Sequence, residues 1–216
     1  MSFPKHSLNR RELVAGAAAL GGMLALPGLA WAQSALLPEA ELNAEGALPD
    51  IWMGKADAPV TIIEYASLTC SHCAAFHAGT YKELKEKYID TGKARMTIRE
   101  FPFDPLAMAG FMLARCQGGE KRGAMIDLLF AETKQWVGDK PLEGLMALTR
   151  QAGMSEDAFK KCLEDKELYG KLGEIRDRGA KQFKVSATPT FFINGHVISG
   201  NQNLAEFEKV MAPYLK

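Results

Sequence analysis

Short apolar stretches alternate with segments of helical periodicity in the first half of the chain. Residues 60–66 are apolar and largely β-branched, and residues 94–101 alternate apolar and polar side chains, so both are predicted to be strands. Between them, residues 74–88 place aromatic and aliphatic side chains at helical spacing against lysines and glutamates, which predicts an amphipathic helix. A strand, a helix and a second strand with short connections indicate a right-handed parallel crossover.

The pattern of residues 105–184 is helical throughout. Gly118-Gly119 interrupts the first apolar run, Pro141 suits the first turn of a helix, and Ser155 precedes acidic residues as an N-cap does. A helical block of this length within an α/β pattern predicts an inserted helical subdomain rather than an independent domain.

The sheet pattern resumes after the helical block. Two short strands flank Asn194-Gly195, which is the strongest short signal for a hairpin turn. Residues 204–215 then place apolar side chains at helical spacing and predict a closing helix. We therefore expect one α/β domain composed of residues 51–104 and 185–216, interrupted by the helical insertion.

The first 32 residues are predicted to be a signal peptide. Arg10-Arg11 lies in a basic start, residues 14–29 are apolar, and Ala30-Trp31-Ala32 fits a small-X-small cleavage site after Ala32. The double arginine also resembles the twin-arginine export pattern. The alternative is an uncleaved membrane anchor, but an apolar stretch of about 16 residues is short for a span of about 20.

An exported protein would enter an oxidising compartment such as the periplasm, where disulfides persist. The chain has 216 residues, and its 26 basic and 26 acidic residues give a formal net charge of zero. This balance argues against nucleic-acid binding or membrane-surface binding driven by charge. Residues 33–50 show no clear period, and we expect them to be a leader or tether.

The clearest chemistry lies in Cys70-Ser71-His72-Cys73, where the first strand is expected to turn into the helix. The unpaired backbone N–H groups and the dipole of a helix N-terminus favour a thiolate on Cys70. Such a position lowers a thiol pKa from about 8.5 to roughly 3.5–7.5. Cys70 is then the nucleophile and Cys73, one turn deeper, the resolving thiol. The alternatives are half of a zinc site and an inert structural pair.

Three further titratable residues lie near this motif. We expect the imidazole of His72 to lie near the Cys70 sulfur and stabilise its thiolate, and the alternative is a solvated side chain. His77 is interpreted as an ordinary helix residue. Glu64, on the buried strand, is costly to bury as a charge, so we expect a raised pKa. The alternative for Glu64 is a strand-end carboxylate that reaches solvent.

The remaining cysteines, Cys116 and Cys162, fall in predicted helices of the insertion. In an exported protein, two pairs are the economical interpretation of four cysteines. We therefore expect a structural disulfide between Cys116 and Cys162, which would contribute roughly 2–4 kcal/mol. Two separate buried thiols are the alternative.

The chain resembles the DsbA-like thiol–disulfide oxidoreductases of the thioredoxin superfamily. The resemblance rests on residues 58–65, the Cys70–Cys73 motif, the helical insertion and residues 185–195, in the expected order. It implies an α/β thioredoxin fold interrupted by an all-helical insertion subdomain. Family members often have proline after the first cysteine, whereas this chain has Ser71, which leaves its reduction potential open.

The resemblance also implies roles for individual residues. Glu64 corresponds to the acid that family members keep beneath the active site as a proton acceptor for Cys73. Thr188-Pro189 corresponds to the cis-proline loop that faces the active site. Pro189 lacks an N–H, so the backbone groups of Thr188 would be free to pair with an extended substrate. Thr188 would also contact the sulfurs.

The implied function is an oxidase that transfers its Cys70–Cys73 disulfide to reduced or unfolded exported proteins, without a metal or other cofactor. By analogy, a membrane DsbB-like quinone reductase would reoxidise it. A reductase or isomerase would use the same chemistry. Isomerases tend to carry a dimerisation domain, however, and residues 33–50 are too short to form one. We therefore expect a monomeric oxidase. Alternatives from other classes are a metal-delivery module using Cys70, Cys73, His72 or His77, and an interaction protein with an idle site.

Overall fold

A computed structural model describes residues 36–215, and the predicted signal peptide (residues 1–32) lies outside this range. The strands are β1 (Met53–Gly54), β2 (Val60–Ala66), β3 (Ala94–Glu100), β4 (Thr190–Ile193) and β5 (His196–Ser199). The helices are α1 (Glu39–Asn43), α2 (Ser71–Ala78), α3 (Thr80–Leu84), α4 (Pro105–Cys116), α5 (Gly119–Ala131), α6 (Thr133–Trp136), α7 (Pro141–Gln151), α8 (Glu156–Leu163), α9 (Lys166–Lys181) and α10 (Leu204–Met211).

Strand β2 is the centre of a five-stranded sheet with the order β1-β3-β2-β4-β5. It pairs parallel with β3 and antiparallel with β4, so the parallel pairing of the predicted crossover is confirmed. All seven residues of β2 are buried, because helices cover both faces of the sheet. In this register Glu64 lies opposite Ile98 on one side and Phe191 on the other.

The helix expected over residues 74–88 is divided into three pieces. Helix α2 ends at Gly79, whose N–H bonds the carbonyls of both Ala75 and Phe76, and α3 begins at the next residue. A π-helical turn over Lys85–Ile89 completes the segment. Gly79 adopts φ −120° and ψ −96°, which is far from helical, so the helix cannot continue through it. The prediction of one continuous helix is therefore wrong.

Helices α4 to α9 form the insertion between β3 and β4. Pro141 lies in the first turn of α7, and the hydroxyl of Ser155 accepts a hydrogen bond from the N–H of Ala158 to cap α8, both as predicted. The hairpin at Asn194-Gly195 is also confirmed, with φ values of 44° and 87°. The residues from Leu36 onward form one compact unit, so the insertion shares a core with the sheet.

Residues 37–50 differ from the predicted tether because they pack on the domain. Leu42, in α1, is only 2% exposed. The Arg99 guanidinium, on β3, donates to the carbonyl of Leu42 at 2.6 Å and pairs with the Asp50 carboxylate at 2.7 Å. The alternation of residues 94–101 does not reveal these contacts, because it places Arg99 on the polar face of the strand, opposite to the apolar face.

A buried ion cluster joins the sheet to the insertion. Glu100, at the end of β3, is fully buried and accepts hydrogen bonds from Arg115 on α4 at 2.7 Å and from Arg122 on α5 at 2.6 Å. Burial raises the pKa of Glu100, but the charges of Arg122 and Arg115 outweigh this effect and hold the pKa at about 2. The carboxylate therefore stays charged in the folded protein at neutral and at mildly acidic pH.

We expect Glu100→Gln to lower the free energy of unfolding at pH 7 by about 3–5 kcal/mol, because it leaves a buried guanidinium without its counter-charge. Since the pKa of Glu100 is below its ordinary value of 4.5, its stabilisation is complete above that pH and is lost as the pH falls towards 2. Urea denaturation measures the change. Glu143→Gln, which removes an exposed partner of Lys140, is the control, and equal losses in both variants would contradict this account.

The structure also pairs Cys116 on α4 with Cys162 on α8 in a disulfide. We expect the double variant Cys116→Ala/Cys162→Ala to unfold with a free energy roughly 2–4 kcal/mol lower, because the unfolded chain loses a long covalent loop. Urea denaturation of both proteins, without reductant, measures the difference. An unchanged transition midpoint would show that this disulfide does not stabilise the domain.

Candidate active site

The Cys70–Cys73 motif lies where β2 gives way to α2. A turn follows the strand, in which the N–H of Cys70 donates to the carbonyl of Ser67 at 3.1 Å. Cys70 is the N-cap residue of α2, with extended backbone angles, and its thiol is half-buried. Cys73 is one turn further along and fully buried. Both are free thiols, and only the Cys70 sulfur lies at a partly exposed position, since Cys73 is buried.

The two thiols have opposite proton affinities. A hydrogen bond from the Cys73 thiol is the largest of the effects that lower the pKa of Cys70 to about 5. Burial opposes this shift, while the Thr188 side chain and the backbone N–H groups of Cys73 and His72 add to it. The same hydrogen bond raises the pKa of Cys73, followed by burial and the nearby charge of Glu64. Cys70 is therefore a thiolate at neutral pH, whereas Cys73 keeps its proton.

His72 contributes to this thiolate in a different way from the predicted one. Its side chain is exposed, and within residues 36–215 it makes no side-chain hydrogen bond. The contribution that lowers the pKa of Cys70 comes from the backbone N–H of His72. In the first turn of a helix the N–H groups point towards the N-terminus, whereas this side chain projects into solvent.

The Thr188-Pro189 loop lies directly against the nucleophile. The Thr188-Pro189 peptide bond is cis, and the carbonyl oxygen of Thr188 lies 3.3 Å from the Cys70 sulfur. Thr188 is 6% exposed, and its buried hydroxyl has no hydrogen-bond partner within residues 36–215. The structure thus brings the carbonyl of Thr188, within the cis Thr188-Pro189 unit, to the Cys70 sulfur.

Glu64 lies behind the dithiol and is fully buried, so the alternative of a strand-end carboxylate reaching solvent is wrong. Its Oε2 atom lies 3.0 Å from Nε2 of His77, which is itself only 5% exposed. The interpretation of His77 as an ordinary helix residue is therefore also wrong. The signal was present in the sequence, because Cys73 and His77 are four residues apart and share one face of the helix.

The imidazole of His77 is held as a cation. Burial alone lowers the pKa of His77, but the charge of Glu64 and the carboxylate of Asp127 outweigh it and raise the pKa to about 9. Nδ1 of His77 lies 3.7 Å from Oδ1 of Asp127, whose side chain is 45% exposed. A buried ion pair therefore lies behind the dithiol, with a second carboxylate at its outer side.

Within residues 36–215, no three histidine, cysteine or acidic side chains are grouped so that they could hold a metal ion. In the same range, no helix has the length and apolar character needed to cross a bilayer.

We expect Thr188→Val to raise the pKa of Cys70, because the hydroxyl that helps to lower it is lost while the shape of the side chain is kept. Titration of the thiolate absorbance near 240 nm measures this pKa. Thr190→Val is the matched control, since the Thr190 hydroxyl donates instead to the carbonyl of Ala187. A Cys70 pKa that is the same in both variants would contradict the assigned role of Thr188.

The chain shows clear similarity to known proteins. The family model described as thioredoxin matches residues 47–212. A putative protein-disulfide oxidoreductase of Rickettsia bellii is 34% identical over 148 residues, which is 68% of this chain and 57% of the relative. A probable disulfide bond formation protein D of Bacillus anthracis is 28% identical and is aligned over 76% of this chain and 77% of its own length. The chain spans about half the length of the curated Rickettsia relatives that it matches.

Solved structures agree with these sequence matches. The crystal structure of alpha-DsbA1 from Wolbachia pipientis superposes with a TM-score of 0.75 at 30% identity, covering 82% of this chain and 96% of that protein. Oxidised BdbD from Bacillus subtilis has a TM-score of 0.68 at 19% identity, covers 77% of this chain and 92% of that protein, and supports the fold. Together with the arrangement of Cys70, Cys73 and the Thr188-Pro189 loop, these similarities show that the chain belongs to the DsbA-like thiol–disulfide oxidoreductases of the thioredoxin superfamily.

Proposed function

We propose that this protein is an oxidase that transfers the Cys70–Cys73 disulfide to reduced, exported proteins. The observation that carries the proposal is the low pKa of Cys70, about 5, above a buried Cys73 that keeps its proton. A stabilised thiolate stabilises the reduced form of the protein. The disulfide is then easily reduced by a substrate dithiol, which makes it a good oxidant.

The exchange proceeds in two attacks. A substrate thiolate attacks the Cys70 sulfur, the Cys70–Cys73 bond breaks, and Cys73 leaves and takes up a proton. The second substrate thiolate then attacks the substrate sulfur of the mixed disulfide, and Cys70 leaves as a thiolate. The substrate loses two electrons and gains a disulfide, while the protein gains two electrons and one proton. The exposure of Cys70 and the burial of Cys73 fit this division of roles.

The Thr188-Pro189 loop supports an extended polypeptide as the substrate. Its Thr188 carbonyl lies 3.3 Å from the Cys70 sulfur, so a strand bound at this carbonyl would bring its own cysteine to the nucleophile. Pro189 has no N–H to compete for the pairing. Main-chain pairing is largely independent of sequence, which suits an enzyme that acts on many unfolded chains.

The cellular setting forms part of the same proposal. Residues 1–32 carry the predicted signal peptide, so the mature protein would act in the periplasm. Reoxidation needs an electron acceptor for Cys70 and Cys73, and a membrane-bound DsbB-like quinone reductase would supply it. We further propose that the protein works as a monomer. The names of the Rickettsia and Bacillus relatives support disulfide chemistry without fixing its direction.

We expect the Cys70–Cys73 pair to have a reduction potential nearer the roughly −120 mV of a strong oxidant than the about −270 mV of thioredoxin. Equilibration with glutathione buffers measures it, and the Cys116–Cys162 disulfide, left intact, is monitored separately by mass spectrometry. A thioredoxin-like value would reject the oxidase in favour of a reductase.

The same preparation tests the roles of the two thiols. Cys70→Ala should abolish oxidation of a reduced, unfolded protein, whereas Cys73→Ala should accumulate a mixed disulfide through Cys70. Zinc analysis of the reduced protein addresses the metal-delivery alternative. Stoichiometric zinc lost on Cys70→Ala would favour that alternative over the oxidase.

A further inference from the structure

A charged pair with no role in the two-step exchange lies directly behind the dithiol. Glu64 on β2 and His77 on α2 meet at 3.0 Å, and both side chains are almost wholly buried. Burying two ionised groups has a large desolvation cost, which a purely apolar contact would avoid. The burial of this pair beside Cys73 therefore calls for an explanation in terms of the proton that Cys73 takes up and releases.

Each member of the pair has one polar atom without a hydrogen-bond partner. Oε1 of Glu64 and Nδ1 of His77 are both buried and unpaired in the structure. The charge of Glu64 is close enough to the resolving thiol to raise the pKa of Cys73. The open Nδ1 atom of His77 lies 3.7 Å from Asp127, which is longer than a hydrogen bond.

A cleft connects this outer side to solvent. It has a volume of about 420 Å³ and is lined by His77, Asp127, Ala74, Phe130 and other residues of α2, α3 and α5. The Asp127 side chain is 45% exposed within it. The groups therefore run in series from the buried thiol to water: Cys73, Glu64, His77 and Asp127.

We propose that His77 is a proton-transfer residue that connects the buried Cys73–Glu64 pair to solvent through Asp127. The proposal deepens the oxidoreductase function above, since it concerns the resolving step of the same dithiol. When Cys73 is deprotonated, its proton passes to Glu64. The His77 imidazolium gives its Nδ1 proton to Asp127, which releases it to solvent, and the neutral ring keeps its Nε2 proton. A half-turn of this ring then brings the bare Nδ1 atom to Glu64, from which it accepts the proton. One proton leaves Cys73 and one reaches solvent, and each intermediate group recovers its initial state.

The surroundings of His77 suit this transfer. The titratable groups that face it are Glu64 on β2, Asp127 on α5 and Tyr81 on α3, whose ring centre is 4.6 Å away. Burial and the charges of Asp127 and Glu64 raise the pKa of Tyr81, so the phenol stays neutral. Because the pKa of His77 is about 9, its imidazole is protonated at neutral pH and can donate a proton. Lys85, on the rim of the cleft, is paired with Asp90.

The test isolates the step in which Cys73 loses its proton. Reduced protein is mixed with oxidised glutathione at pH 5–10, quenched with acid, alkylated and analysed by mass spectrometry. Cys70 first forms a mixed disulfide with glutathione, and Cys73 then releases it. We expect His77→Gln to leave the first rate unchanged and to slow the second about tenfold at pH 7, less than the roughly 10²-fold that a direct proton donor supplies.

The pH profile separates proton transfer from support of the fold. The difference between His77→Gln and the wild type should shrink above pH 9, because the wild-type imidazolium has then lost its proton and hydroxide serves both proteins. Asp127→Asn, at an exposed position, should slow the same step to a smaller extent. His196→Gln is the matched control. His196 lies on β5, and its imidazole contacts the hydroxyl of Tyr214 rather than the Glu64–His77 pair.

Two results would overturn the proposal. One is that Asp127→Asn releases glutathione from Cys70 at the wild-type rate. If His77→Gln does not fold, this result alone would reject the proposal. The other is a deficit in His77→Gln that is the same at every pH, because it would indicate a structural role alone. Failure of the oxidase function is a separate result, since it appears in the reduction potential of the wild type, whereas the release step is measured whichever way the protein works.

Discussion

The interaction of the Cys73 thiol with the charge on the Cys70 sulfur is the one on which the site depends. It requires that one sulfur be charged and the other protonated. The fold provides this difference by giving the two sulfurs different environments. Cys70 is the N-cap of helix α2, so backbone N–H groups point at the first sulfur, while the one-turn spacing buries the second. If both sulfurs had the same environment, neither would be a distinct nucleophile or a distinct resolving thiol.

A buried thiol such as Cys73 needs a buried group with which it can exchange its proton. The structure has two buried glutamates, Glu64 and Glu100, and their partners suit one for proton exchange and the other for holding the fold together. Glu100 accepts hydrogen bonds from two arginines through both of its oxygens, so its charge is fixed and its pKa is about 2. Glu64 has one histidine on one oxygen and leaves the other open. An arginine guanidinium keeps its proton throughout the working pH range, whereas the His77 imidazolium, with a pKa of about 9, can pass a proton on and be reprotonated. Of these two glutamate clusters, the Glu64 pair is therefore the one suited to proton exchange.

The features that the sequence predicts correctly are those set by neighbours along the chain. The strand before Cys70, the helix N-terminus at Ser71 and the Asn194-Gly195 turn follow from local pattern and turn chemistry. The environment of His77 does not follow from local pattern, because its partners lie 13 and 50 positions away on other elements. The packing of residues 37–50 likewise depends on Arg99, whose burial is decided by tertiary contacts.

The helical insertion completes the site as well as enlarging the core. Without α5, the outer face of His77 would be open to water, because that helix supplies Asp127 and also Phe130, whose ring stacks on the imidazole at 4.2 Å. Exposure would solvate the ion pair of His77 and Glu64 and weaken its coupling to Cys73. The Glu100 cluster ties α5 to the end of β3, and the disulfide ties α4 to α8. The stability of the insertion and the environment of the dithiol are therefore linked through one helix.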